Sequence, residues 1–206
     1  MKLTLKFSIA LIFIPMFSFA SIDDYSWSLN KNSYLVEEQG ETILMMADVT
    51  QYESKVSFIK ELDFDEGVIE FELMSSEINS KMHNYPGLVF NVKDKLHWEV
   101  LYLRYRMDSM EGIQYLNSSN GKTNFQNFKG DDYFQYTPVM QHHGKWRKIK
   151  IVLTNDILEV YLDGNTTAEF ITKRIKSDIT SGSIGFYAYK SSNVTKYRNL
   201  VITPKN

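Results

Sequence analysis

Apolar side chains in this chain recur at every second position, and that spacing restricts the fold more than any other feature. "VIEFEL" places Ile69, Phe71 and Leu73 on one side and Val68, Glu70 and Glu72 on the other. "WRKIKIVL" repeats the pattern with Ile149, Ile151 and Leu153 opposite Trp146, Lys148 and Lys150. After a Thr154–Asn155–Asp156 turn, "ILEVYLDGN" sets Leu158, Val160 and Leu162 against Glu159, Tyr161 and Asp163. A period of two is the signature of a strand with one buried face, and two such runs joined by a short polar turn form an antiparallel hairpin. "YSWSLN", "ETILMMA", "SKVSFIKEL", "YPGLVFNV", "SGSIGFYAY" and "KYRNLVIT" supply further strands. The best helical segment, "MSSEINSKM", is short and polar and reads better as a connection. Many short strands punctuated by Gly, Asn and Asp predict an all-β fold: one antiparallel two-sheet sandwich of the jelly-roll kind.

The chain has no cysteine, so neither disulfides nor thiolate metal sites are available and burial must supply the stability. Its N-terminus has the features of an export signal. Lys2 and Lys6 precede "FSIALIFIPMF", and "SFA" ends on Ala20 with the small residues a signal peptidase reads. The apolar run is broken by Pro15 and is shorter than the roughly 20 residues needed to span a bilayer. No cysteine follows it, which rules out a lipid anchor of the lipoprotein kind. Residues 1–20 are therefore expected to be a cleaved signal peptide and residues 21–206 a single domain, secreted or periplasmic.

Removing Lys2 and Lys6 leaves 21 basic residues against 25 acidic ones, a net charge of −4 with His neutral. No basic stretch offers a nucleic-acid footprint, and no second apolar run is long enough to cross a membrane as a helix. Oligomeric state is not legible.

One stretch carries more than scaffold. In "LHWEVLYLRYRMDSMEGIQYLNSSNG", residues 96–121, Trp98, Val100, Tyr102, Arg104 and Arg106 share one strand face. Leu101, Leu103 and Tyr105 share the other, which is the natural core side. Flat rings can cover the C–H faces of a sugar, and the fixed fork of a guanidinium suits hydroxyls or a carboxylate. Trp98, Tyr102, Arg104, Arg106, Gln114 and Asn120 are thus the candidate ligand-binding set for a carbohydrate. The competing expectation is that Arg104 and Arg106 pair across strands with carboxylates such as Glu70 or Glu72.

"FDEGVIEFEL", "PGLVFNV", "KWRKIKIVLTNDILEVYLDG", "SGSIGFYAY" and "YRNLVI" together resemble, in this order, the concanavalin-A-like lectin/glucanase superfamily in its laminin-G-like jelly-roll form. The resemblance spans residues 58–203. Within it the 96–121 stretch is similar to bacterial secreted proteins of the 3-keto-disaccharide hydrolase-like branch. That branch runs Tyr-x-x-x-Tyr-x-Arg-Pro-His, then Asp-Ala-x-Gln-Tyr, then Asn-Gly and Trp-Gln. The matching positions here hold Trp98, Tyr102 and Arg104, then Gln114 and Tyr115, Asn120 and Gly121, and Phe125 with Gln126. Tyr105 and Arg106 replace Pro-His, Glu111 replaces Asp, and Phe125 replaces Trp. If the family's His or Asp carries acid–base work, those replacements retain a binding surface without the chemistry.

Three functions follow from these residues: a carbohydrate-binding domain, a glycoside-cleaving enzyme acting on a 3-keto disaccharide, or an adhesive sandwich that binds another protein. For the enzyme, a keto group acidifies the neighbouring C–H, and His97, Glu99 or Glu111 are the candidate bases, with Arg104 polarising the carbonyl. A glucanase-type carboxylate pair is a poor match, because Glu70 and Glu72 share a face but Glu77 lies past the strand end. His142 and His143 point apart if they lie in a strand and could share a metal only from a loop. A structural calcium is a further candidate cofactor, since "DFDEG" (Asp63, Asp65, Glu66) and "GDD" (Asp131, Asp132) offer hard oxygens. The same residues also serve as plain turn chemistry. No nucleophile elbow or phosphate-cradling glycine loop is present.

Overall fold

A computed structural model describes residues 21–47, 54–76, 83–105, 111–119, 122–123, 135–174, 180–189 and 194–205. Of the expected features, Arg106, Asn120, Gly121, Phe125, Gln126, Asp131, Asp132, residues 1–20 and most of "MSSEINSKM" lie outside these residues.

Each period-two run forms a strand, and the strands make two antiparallel sheets. The first sheet runs β1 (Trp27–Ser28), β4 (Lys55–Ile59), β14 (Ser183–Ala188), β6 (Gly87–Val92), β7 (Trp98–Arg104), β8 (Gly112–Ser119) and β10 (Gln135–Pro138), with β9 (Lys122–Thr123) paired to β8. The second runs β13 (Phe170–Lys173), β12 (Ile157–Leu162), β11 (Arg147–Leu153), β5 (Gly67–Ser75), β15 (Thr195–Pro204), β3 (Glu41–Met46) and β2 (Ser33–Glu38). A single 3-10 turn at Ile22–Asp24 precedes them, and the described residues contain no α-helix. The expected hairpin is β11–β12, with Ile151 opposite Val160. Non-consecutive strands lie side by side in both sheets, as jelly-roll connections require.

The sheets face each other across one core. Phe90, Leu101, Leu103, Ile113 and Phe186 of the first meet Leu44, Ile69, Phe71, Ile151, Val160 and Tyr197 of the second. Tyr197 ties the layers together. Its ring stacks on Phe186 at 4.1 Å, its hydroxyl donates to the Tyr187 carbonyl at 2.7 Å, and it accepts from the Gly87 amide at 3.1 Å.

The first sheet has a second apolar layer on its outward face. Val56, Tyr85, Val89, Trp98, Val100, Tyr102, Leu116 and Tyr187 form a buried cluster separate from the core. Strands buried on both sides lose the polar–apolar alternation, and β6, β7 and β14 are buried at every position.

β2, β9, β10 and β13 were not among the expected strands. β2 is an edge strand with an uneven burial pattern. Its turn to β3 uses Gln39 (φ 54°) and Gly40 (φ 81°) where Asn-Gly or Asp-Gly would signal a hairpin.

Candidate functional site

The site is built on the pairing of β7 with β8, which sets Tyr102 opposite Gln114 and Arg104 opposite Gly112. Side chains directly opposite in an antiparallel pair lie on one face and touch. Gln114 is thereby placed with the even-numbered residues of β7, on the outward face of the sheet. Its Oε1 accepts from the Tyr102 hydroxyl at 2.5 Å and from Arg104 Nη1 at 3.0 Å. Gln114 is 1% exposed, and its Nε2 has no hydrogen-bond partner among the described residues. An unmatched buried amide donor costs about 1–3 kcal/mol, so this atom marks where an acceptor is favoured.

Rings surround the polar group. The Arg104 guanidinium lies 6.0 Å from the centre of the Tyr85 ring. Tyr85 meets Tyr102 edge-on at 5.8 Å and Tyr189 at 5.9 Å, while Tyr187 lies 6.0 Å from Tyr102 and 5.5 Å from Trp98. The Trp98 indole N–H donates to the Lys95 carbonyl at 3.2 Å. His83 sits 6.1 Å from Tyr85, ring to ring, at the edge of this group.

Burial holds the Tyr102 phenol well above its ordinary pKa, with Tyr187 adding to the shift and Arg104 opposing part of it. Tyr187 is raised chiefly by the same loss of solvent. Both phenols therefore stay protonated near neutral pH and serve as donors and surfaces, not as bases. The guanidinium is the permanent charge of the group.

Trp98, Tyr102 and Arg104 share one face, as their spacing implied, and the pairing of β7 with β8 adds Gln114 to it. Tyr85, Tyr187, Tyr189 and His83 join them and were not singled out from sequence. Their own period-two pairs, His83/Tyr85 in "HNYPG" and Tyr187/Tyr189 in "FYAYK", were the available signal. Which strand lies beside β7 is decided only by folding.

Two of the three candidate bases lie away from this group. Glu99 faces the sandwich interior and is 2% exposed; it accepts from Asn91 Nδ2 at 2.8 Å and from the Tyr115 hydroxyl. His97 lies at the opposite end of β7 from Arg104, roughly 20 Å along the strand, with its Nδ1 2.9 Å from Asp94. Glu111 is engaged by His143 Nε2 at 2.9 Å and by the Gln141 amide at 3.1 Å. His143 therefore has a carboxylate partner 32 residues away in sequence, which spacing alone did not reveal. His142 is exposed, and no three His, Asp or Glu side chains converge on a metal geometry among the described residues.

The expected pairing of Arg104 with Glu70 or Glu72 is corrected by the topology. Both acids lie on β5, in the other sheet, where Glu72 accepts from Arg198 Nε at 2.7 Å. In "DFDEG", Glu66 pairs with Lys205 at 2.6 Å and Asp65 Oδ1 accepts from the Glu66 amide at 2.6 Å, while Asp63 and Asp65 are exposed. This is turn and ion-pair geometry.

The model of the 3-keto-alpha-glucoside-1,2-lyase-like domain family matches residues 27–203, nearly the whole described fold. The chain belongs to this family. No curated protein matches it by sequence. Among solved structures, the fold is similar to the carbohydrate binding module CBM66 from Bacillus subtilis, at TM-score 0.61 and 11% identity over 84% of this chain and 92% of that one. A Bacillus subtilis protein with a galectin-like fold gives TM-score 0.61 at 13% identity, covering 89% and 91%. The Bacillus licheniformis beta-glucanase gives 0.55 at 12%, covering 85% and 83%. At these identities the likeness establishes the concanavalin-A-like jelly roll and nothing finer. The family is a 3-keto-glucoside lyase-like one on a scaffold shared by carbohydrate-binding and glycosidase proteins.

Proposed function

We propose that this protein is exported and recognises a saccharide on the outward face of its first sheet, with Arg104 and Gln114 as the polar clamp and Trp98, Tyr85, Tyr102 and Tyr187 as the buried rings packed around it. The observation that carries the proposal is the buried Gln114 Nε2 without an acceptor, held beside a guanidinium and a ring of phenols. A sugar hydroxyl accepts from such an amide, and a carbonyl or carboxylate on the sugar suits the guanidinium. Calorimetry against saccharides found on a glycan array is the test. Arg104→Ala should weaken binding at least about tenfold, the roughly 1.5 kcal/mol scale of a hydrogen bond to a charged group. Undiminished binding by that variant rejects the clamp.

A second reading, elimination from a 3-keto glucoside, is favoured by family membership. The keto group at C3 acidifies C2–H. A base takes that proton, Arg104 stabilises the enolate oxygen, and the electrons then form C1=C2 as the C1–O bond breaks. The leaving alkoxide collects a proton. Glu99 faces inward, His97 lies at the other end of β7, and Glu111 is engaged by His143 and the Gln141 amide. The imidazole nearest the group is His83, beside Tyr85. Incubation with a 3-keto disaccharide should release the leaving sugar, and His83→Gln should slow release by on the order of 100-fold, the usual contribution of a general base. No release between pH 5 and 9, with or without divalent metal, rejects this second reading.

A further inference from the structure

The second sheet carries a groove on its own outward face, over 30 residues of chain away from Arg104. The groove encloses about 790 Å³ above β5, β11 and β12 and is walled by the turn that follows β12. That volume lies within the few hundred to about 1,000 Å³ typical of small-ligand sites.

Its charges are matched in number and yet not tied to one another. The register sets Lys148 opposite Glu72 and Lys150 opposite both Glu70 and Tyr161. Glu72 is engaged by Arg198, whose guanidinium also lies 4.1 Å from the Trp146 ring centre. The Glu70 carboxylate and the Lys148 ammonium form no ion pair or hydrogen bond among the described residues. Lys150 lies over the Tyr161 ring at 5.6 Å.

The fold holds the other parts in place. The Tyr161 hydroxyl donates to Glu159 at 2.5 Å, which fixes the ring on the sheet surface. Asp163 (φ 54°) and Gly164 (φ 81°) make the tight turn that carries Asn165 and Thr166 over the groove. The Asn165 amide donates to Glu169 at 3.0 Å, which leaves its carbonyl oxygen as an acceptor. A bulge in β15 between Arg198 and Val201 brings exposed Asn199 (φ 54°) to the rim.

The geometry points to a second saccharide site on this face, taking a neutral, hydroxyl-rich oligosaccharide. With Arg198 shared between Glu72 and Glu41, three acids (Glu41, Glu70, Glu72) balance three bases (Lys148, Lys150, Arg198), so neither an anionic polymer nor a cation is favoured. A carboxylate accepts from neighbouring hydroxyls, an ammonium donates to them, and an amide or threonine does either. The exposed part of the Tyr161 ring offers a flat surface for C–H groups. This inference does not rest on the reading of the first sheet.

The test is an NMR titration of the ¹⁵N-labelled exported protein with cellohexaose, laminarihexaose and maltohexaose, and with hexagalacturonate as the charged comparison. At least one neutral hexasaccharide should give saturable shifts at the amides of Lys150, Tyr161, Asn165 and Thr166. Glu70→Gln and Tyr161→Ala, both at solvent-facing positions, should each weaken that response at least tenfold. Arg104→Ala should leave it unchanged, which separates this site from the one proposed on the first sheet. No saturable response to any neutral hexasaccharide overturns the inference. So does a stronger response to hexagalacturonate, or loss of the shifts in Arg104→Ala.

Discussion

A carboxylate among core rings loses its hydration, and Glu99 recovers only part of it. Asn91 and Tyr115 each donate to it, and Arg174 helps at longer range, yet burial dominates and raises its pKa. The sign of the pH effect follows. A carboxyl whose folded pKa exceeds its unfolded one favours the fold most below the ordinary carboxylate range, and that contribution is lost as pH climbs through the raised value. Glu99→Gln keeps the volume and removes the charge. In urea denaturation from pH 4 to 8, the wild-type midpoint should fall relative to that of Glu99→Gln as pH increases. Parallel profiles would mean that burial does not raise the Glu99 pKa. The same residue shows the limit of reading alternation. Glu99 sits between Trp98 and Val100, and the period of two correctly puts it opposite them, but only the packing of the second sheet makes that side the interior.

At the scale of elements, bulges and glycines decide where side chains end up. In β6, Val89 and Val92 both face outward although they are three residues apart. The pairing with β14 shifts register there, and Asn91 takes φ 51°, so Phe90 and Asn91 both turn inward and Asn91 reaches Glu99. An extra residue of this kind resets the period, and no pattern in "LVFNV" announces it. Gly185 has a different role. A Cβ there would lie 2.1 Å from the Ser57 carbonyl oxygen and 2.6 Å from Phe58 Cα, because the neighbouring strand β4 lies close against it, with Phe58 opposite Gly185. Gly185→Ala must push β14 from β4, and thermal or urea unfolding should register a loss of about 1–3 kcal/mol, the usual cost of overpacking. An unchanged midpoint would show that the two strands can separate freely. "SGSIGFYAY" identified the strand; the close approach that requires its second glycine belongs to the sheet.

Across the whole molecule, export is a proposal with a direct readout. Ser21 N donates to Asp24 Oδ2 at 2.6 Å at the start of the 3-10 turn. Cleavage after Ala20 would convert that amide into an α-ammonium and the contact into an ion pair at the beginning of the fold. Intact-mass analysis of protein recovered from the periplasm or medium should give a chain starting at Ser21. A chain that retains residues 1–20 would contradict the leader reading. The two outward faces likewise belong to this scale. One is a buried layer of rings around the Arg104 guanidinium, the other an open groove of balanced charges, and the core between them lets each be tested alone.

Local chemistry determined the all-β class, most of the strands and the sharing of one face by Trp98, Tyr102 and Arg104, because a period of two is a property of the backbone. It also carried the family resemblance, through turns that strands need wherever they reverse. Tertiary structure decided which strands became neighbours, and so why Gln114 faces Tyr102, why Glu70 and Glu72 lie in the sheet away from Arg104, and why His143 meets Glu111. Those pairings join residues far apart along the chain. They are selected by the burial of two whole faces against each other, which no short window of sequence contains.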